Sequence, residues 1–382
     1  MKILHAMLSC TYSDNFNYQE NALPRQNASD GHTVMIVAST ETLQVNSSTI
    51  CSTPHGSYLN EDNIDVTRVP YATWLPRFLM RKIRAYKSVH EILNTFTPDV
   101  IFCHGTSTLE LITFSRYIRS HPQVKFFVDS HADQHNSGTN PFSKFILHHL
   151  FYRFCLHTAL PHITKIFYIS HEAKCFLLRF YKAPEHLLEF FPLGGSIPEE
   201  SKSIAIRAKT RSDLNLSEND ILFVHSGKLD TAKRTNCLIE AFSRVHNDNF
   251  KLFIIGSMPD NMKQTLVPMI KKDARISWLG WKQANELVEI LSACDMYIQP
   301  GSQSATLQNA LCTFAPIMVF PHSSHQPYLN KNGFFVKTVE DIEQCFLKIS
   351  ECPAILQKMR IESEIIAREL LDYTKLARRI YQ

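Results

Sequence analysis

Short apolar runs that end in polar turns recur along the whole chain, each followed by apolar residues at helical spacing. In the first half the runs are 2–8, 33–39, 64–69, 99–103, 124–129, 165–169 and 188–191. Helical patterns lie between most of them, near 17–29, 75–94, 107–119, 142–159 and 171–182. In the second half the runs are 221–224, 251–255, 276–279, 296–299, 317–320 and 334–336, separated by helical patterns near 233–246, 260–272, 284–293, 303–313 and 339–350. Apolar strands that alternate with helices predict parallel sheets covered on both faces. Two such series predict an α/β chain of two doubly wound, Rossmann-like domains facing a central cleft. The expected division is a first domain over 1–192 and a second over 220–365. A connection over 193–219 carries Gly194-Gly195 and a polar Ser/Lys run. A C-terminal helix over 366–382 is expected to pack back on the first domain.

Length and composition fit this division. The 382 residues suit two domains of ordinary size, and 44% hydrophobic with 20% charged residues describes a globular chain. A formal charge of +4 is too small to imply a nucleic-acid partner. The histidines are uneven, 14 of 18 lying before Leu193, which points to acid/base work in the first half. The ten cysteines are scattered without a CxxC pair, so reduced thiols in a cytoplasmic protein are expected. The first apolar run is too short for a secretory signal core, and no stretch of about 20 apolar residues predicts a transmembrane helix.

In open α/β sheets, ligands bind beyond the carboxyl ends of the strands. The run 221–224 is followed by a turn holding Gly227, Lys228 and Lys233, then by a helical pattern through Phe242 and Val245. Helix N-termini and two lysines there suit a phosphate group. The run 296–299 leads into a small-residue loop with Gly301, Gln303 and Ser304, then Gln308 and Asn309. Two anion-favouring elements in one half suit a diphosphate. In the first half, Gln19 and Glu20 open the helix after the first strand, where they either complement the helix dipole or meet an acceptor. His104 precedes Gly105 at a strand end, an arrangement that predicts exposure to the cleft. Asp129, His131, Asp133 and His135 alternate after the next strand. Alternation fits a metal site only if the segment stays extended and gains partners from other strand ends. No HxH or HExxH partner is present, so the favoured reading needs no metal: Asp129 and His131 position a substrate and share a proton.

These elements, in this order, resemble glycosyltransferase family 4, whose fold is GT-B. The residues that carry the resemblance are GKL-x3-K at Gly227–Lys233, then LIEAF, KLFIIG, ISWLG and Gln308-Asn309-Ala310-Leu311 with Pro316. The first half adds PDVIFCHG, VDSHAD and PLGG. The resemblance is nearest to bacterial enzymes of surface-polysaccharide synthesis. It implies a metal-independent, retaining hexosyltransferase without a cofactor, using a nucleotide-diphosphate sugar as co-substrate. Lys228 and Lys233 would hold the diphosphate, and His104, Asp129 and His131 would act at the transferred sugar. The acceptor would be a saccharide or a lipid-linked sugar. The family's paired glutamates are absent: Gly301 and Asn309, or Gln308 in a shifted register, stand at their spacing. Gln303, Ser304, Gln308 and Asn309 would then line the donor, the amides accepting bonds from hydroxyls. Two other readings stay open, a nucleotide-sugar epimerase of the same fold and a catalytically weak relative serving as a partner subunit.

One stretch bears on location. Over 74–87, Leu75, Phe78, Leu79 and Ile83 fall on one helical face, with Arg77, Arg81, Arg84 and Lys87 around it. That pattern fits an interfacial helix on an anionic membrane, at its cytoplasmic face. The pattern over 142–157 reads more like core.

Overall fold

A computed structural model describes residues 1–16, 18–43, 49–133, 137 and 142–382. The chain divides into two compact units, Met1–Pro192 with Tyr373–Gln382, and Leu193–Asp372.

The first unit is built on an eight-stranded sheet. Its strands are β1 (Lys2–Met7), β2 (Thr33–Ser39), β5 (Gly56–Leu59), β6 (Asp65–Val69), β7 (Val100–Cys103), β8 (Lys125–Ser130), β9 (Lys165–Tyr168) and β10 (Leu188–Phe190), while β3 (Glu41–Leu43) and β4 (Ile50–Ser52) form a separate hairpin. The order is β10-β9-β8-β7-β1-β2-β6-β5, with every pair parallel except β5 and β6. The central strands β1, β7 and β8 are almost wholly buried, which is why their sequences are continuous apolar runs. One face is covered by the helices Val89–Phe96, Glu110–Ser120 and Arg153–Ala159. On the other, Tyr373, Leu376, Ala377 and Ile380 pack with Ile3, Leu23, Phe102 and Phe191. Arg379 adds an ion pair to Glu189.

The second unit has six parallel strands, β11 (Ile221–Ser226), β12 (Phe250–Ile255), β13 (Ile276–Trp278), β14 (Met296–Gln299), β15 (Ile317–Val319) and β16 (Gly333–Phe335), in the order β13-β12-β11-β14-β15-β16. Phe223, Phe242, Phe250 and Phe346 form its aromatic core by edge-to-face contacts.

Three expectations change. Part of the predicted connection 193–219 is a helix, Glu200–Asp213, within the second unit. Its anchors are ionic: Arg207 and Arg211 both pair with Asp295, which also accepts from the Leu222 amide at 2.7 Å. The C-terminal helix of the first unit starts at Tyr373, and 366–371 stays with the second unit. The pattern 75–94 is two helices, Arg77–Ile83 and Val89–Phe96, because Arg84 and Ser88 take left-handed backbone conformations between them.

Candidate active site

The adjacent strands β8, β7 and β1 end side by side, and the residues that follow them meet at one cavity of about 520 Å³. Glu20, His104, Asp129 and His131 all line it, along with Ser9, Cys10, Ser130 and Tyr152. The turn after β7 is tight. Gly105 has φ +101°, and a Cβ there would fall 2.6 Å from the Ser9 Cβ. The Ser107 amide then donates to Ser9 Oγ at 2.8 Å. Arg84 donates to the carbonyl oxygens of Ser9 and Ser107, locking both turns together.

His104 is buried, with 1% of its surface exposed, which corrects the expected exposure. The reason lies beneath it. The His5 ring stacks on His104, and His5 Nδ1 lies 3.0 Å from His104 Nε2. His5 Nε2 lies 2.8 Å from Asn27 Oδ1. On its other side, His104 Nδ1 lies 3.1 Å from Asp129 Oδ2. The four groups form a buried line, Asn27–His5–His104–Asp129. With the Asn27 oxygen accepting, His5 carries its proton on Nε2 and accepts from His104 Nε2. His104 then presents a proton to Asp129 only as an imidazolium. With the amide of Asn27 reversed, all three side chains up to Asp129 can be neutral donors in series. Burial, and then the neighbouring His104, lowers His5 to about 3, so His5 stays neutral.

Asp129 is fully buried between two imidazoles, with His131 Nε2 3.4 Å from Oδ2. Burial alone would raise its pKa; the charges of His131 and then His104 outweigh this and hold it well below the usual carboxylate range. Burial likewise opposes charge on His131, but the Asp129 carboxylate wins and raises His131 to about 9. At neutral pH His131 is therefore a cation and a donor, not a base. Gln19 is buried and does not line the cavity, its two amide atoms without hydrogen-bond partners among the described residues. His135 lies outside the described residues. His5, Asn27 and Arg84 were not anticipated. A histidine inside the otherwise apolar Lys2–Met7 run was the available signal for the first.

In the second unit, two turns are strapped together. The Ser302 amide donates to the Ala232 carbonyl at 2.8 Å, and Lys233 Nζ donates to the carbonyls of Ser302 at 3.0 Å and Gln303 at 2.9 Å. Gly227, Gly256 and Gly301 pack closely here: a Cβ on Gly256 would sit 1.8 Å from the Gly227 oxygen, and one on Gly301 2.1 Å from the Ala232 oxygen. Lys233 is 6% exposed, and burial lowers its pKa, with Asp230 offsetting part of the effect. It is thus a buried clamp in this structure, whereas Lys228 is exposed. Gln303 is exposed, and Ser304 bonds Thr306 Oγ1 at 3.1 Å. Gln308 and Asn309 lie in the seven-residue helix Thr306–Cys312, both partly buried. Gly227, Lys233, Gln303 and Ser304 are therefore brought together.

The model of the family described as "Glycosyl transferases group 1" matches residues 206–362, nearly the whole second unit. The second unit is a glycosyl transferases group 1 domain. The chain is 20% identical over 230 residues to the alpha-galactosylglucosyldiacylglycerol synthase of Streptococcus pneumoniae, an alignment covering 53% of this chain and 62% of that relative. Among solved structures, HepE of Anabaena, crystallised in complex with UDP, is similar at TM-score 0.65 and 14% identity, over 100% of this chain and 98% of that one. A glycosyltransferase from Rickettsia africae is similar at TM-score 0.66 and 14% identity, over 99% of this chain and 96% of that one. The fold of the chain is accordingly GT-B.

Proposed function

We propose that this chain is a retaining glycosyltransferase that moves a sugar from a nucleotide-diphosphate donor to a saccharide or lipid-linked acceptor, without a metal. The observation that carries the reading is the convergence of Glu20, His104, Asp129 and His131 on one cavity, in a chain whose other unit is a group 1 domain. In this reading the second unit binds the donor, as the UDP complex of HepE supports by analogy. Lys228 and Lys233 neutralise the diphosphate, whose charge grows as the sugar leaves. Lys233 would exchange its two carbonyl acceptors for phosphate oxygens, whose charge offsets the burial of the ammonium. In the first unit, cationic His131, held by Asp129, donates to sugar hydroxyls or to developing negative charge, and His104, engaged by His5 and Asp129, holds that carboxylate in place. Gln303, Ser304, Gln308 and Asn309 supply neutral contacts to the donor, and Gln19 and Glu20 meet the acceptor.

The engagement of Lys233 with carbonyls also favours a second reading, a weakly active partner subunit. One experiment separates the two. The chain and its Lys233→Ala variant are incubated with a panel of nucleotide sugars, with thermal stabilisation and sugar transfer measured. The transferase reading expects stabilisation and transfer by the wild type, both reduced at least tenfold in the variant. Binding without turnover, indifferent to Lys233→Ala, sinks it.

A further inference from the structure

The first unit leaves a run of large apolar side chains in solvent. Trp74, Leu75, Phe78 and Leu79 are exposed at and before the helix Arg77–Ile83, Phe78 to 67%. Phe145, Ile146, Leu150 and Phe154 are exposed on Phe142–Tyr152 and Arg153–Ala159, Phe154 to 63%. The second set overturns the reading of 142–157 as core. Its buried face is instead Cys155, Leu156 and Ala159, which leaves the opposite face outward. The two elements are neighbours: Arg77–Ile83 packs against Phe142–Tyr152, and the Tyr152 hydroxyl donates to the Lys82 carbonyl. Exposed apolar side chains on two touching helices are not the scattered single residues of an ordinary surface.

Within the two segments that carry them the charges have one sign. Residues 70–90 contain Arg77, Arg81, Lys82, Arg84 and Lys87 and no Asp or Glu. Residues 142–171 contain Lys144, Arg153 and Lys165 and again no Asp or Glu. Arg84 is consumed by the Ser9 and Ser107 carbonyls, and Arg81 pairs with Glu41, but Arg77, Lys82 and Lys87 are exposed. A protein partner would have to bring its own acidic rim. An anionic bilayer offers both halves at once, hydrocarbon for the apolar tips and headgroup charge for the lysines and arginines.

We propose that this two-helix face seats the first unit on the surface of an anionic membrane. The face also borders the candidate site. Arg81, Lys82, Leu147 and Tyr152, from the same two helices, line the cavity of Glu20, His104 and Asp129. If the proposed transfer holds, its acceptor is then a sugar-bearing amphiphile taken from the bilayer; the docking itself does not rest on that reading.

The test is sedimentation of the full chain with vesicles of phosphatidylcholine alone or with one third phosphatidylglycerol, without any nucleotide sugar. The wild type is expected to pellet with the anionic vesicles and to leave them as salt rises. Phe78→Ser combined with Phe154→Ser should weaken retention roughly tenfold, with an unchanged melting temperature because both side chains are exposed. Arg77→Gln with Lys87→Gln should weaken it and flatten the salt dependence. Equal wild-type retention on neutral and anionic vesicles, or undiminished binding by the Phe78→Ser, Phe154→Ser variant, overturns the proposal. So does a wild-type dimer that this variant dissociates in the absence of vesicle binding, since the face would then join two copies. Vesicle binding by a chain that shows no transfer with the panel of nucleotide sugars would uphold the docking while refuting the transferase reading.

Discussion

Asp129→Asn tests whether the buried carboxylate holds His131 in its charged form. In the unfolded chain a histidine titrates near 6.5; in the folded chain His131 is raised to about 9. From about 6.5 to about 9 is about 2.5 pH units, worth about 3 kcal/mol at full strength. The His131 side chain is 31% exposed, so solvent screening reduces this to about 1–2 kcal/mol. The sign follows from proton uptake. Between those pH values the folded chain binds more protons than the unfolded one, so the contribution is complete below pH 6.5 and is lost as pH rises through 9. Asp129, held low, stays ionised throughout that window. Urea unfolding at pH 6, 7, 8 and 9 should therefore show wild-type stability falling by about 1–2 kcal/mol more than that of Asp129→Asn. Ring signals of isotopically labelled histidine should place the His131 midpoint near 9 in the wild type and at least one unit lower in the variant. Parallel stability profiles, or a midpoint near 9 in both proteins, would refute the pairing.

Three further outcomes follow from the packing. Gly256→Ala would drive a Cβ to 1.8 Å from the Gly227 carbonyl at a backbone φ of +133°, so a loss above about 3 kcal/mol, or an insoluble chain, is expected in thermal melts. Asp295→Ala leaves Arg207 and Arg211 without their shared carboxylate and the Leu222 amide without its acceptor; about 2–4 kcal/mol of destabilisation and early protease cleavage near Glu200–Asp213 should follow. Lys233→Ala removes two ammonium-to-carbonyl bonds across the strapped turns, at about 1–3 kcal/mol in urea unfolding, and a variant as stable as the wild type would contradict the clamp.

The parallel strands were legible because burial on both faces leaves an unbroken apolar run, as in Ile221–Val224 or Val100–Cys103. The edge strand Gly56–Leu59 and the hairpin Glu41–Leu43 with Ile50–Ser52 were missed because they are short and largely exposed, so their sequences carry little pattern. Glu200–Asp213 was missed for a different reason. Ile204 and Ile206 are exposed and the helix is held by arginines, so apolar periodicity could not reveal it. The break at Arg84 is tertiary, set by carbonyls of Ser9 and Ser107 that lie far away in sequence. In the site, strand-end position was enough to gather Glu20, His104, Asp129 and His131. It could not show that His5 lies under His104, since a neighbouring strand supplies that contact. Nor could the spacing of Lys233 show that two carbonyls already occupy its ammonium.

The return of Tyr373–Gln382 to the first unit has a consequence for how the protein is made. Ile3, Val100, Phe102 and Phe167, on β1, β7 and β9, share a core with Tyr373, Leu376 and Ile380. During synthesis those strands leave the ribosome long before their cover exists, and the whole second unit, Leu193–Asp372, is translated in between. At about 5–20 residues per second that delay is on the order of ten seconds or more. For that interval the nascent first unit displays an apolar sheet face that stays uncovered until Tyr373–Gln382 arrives.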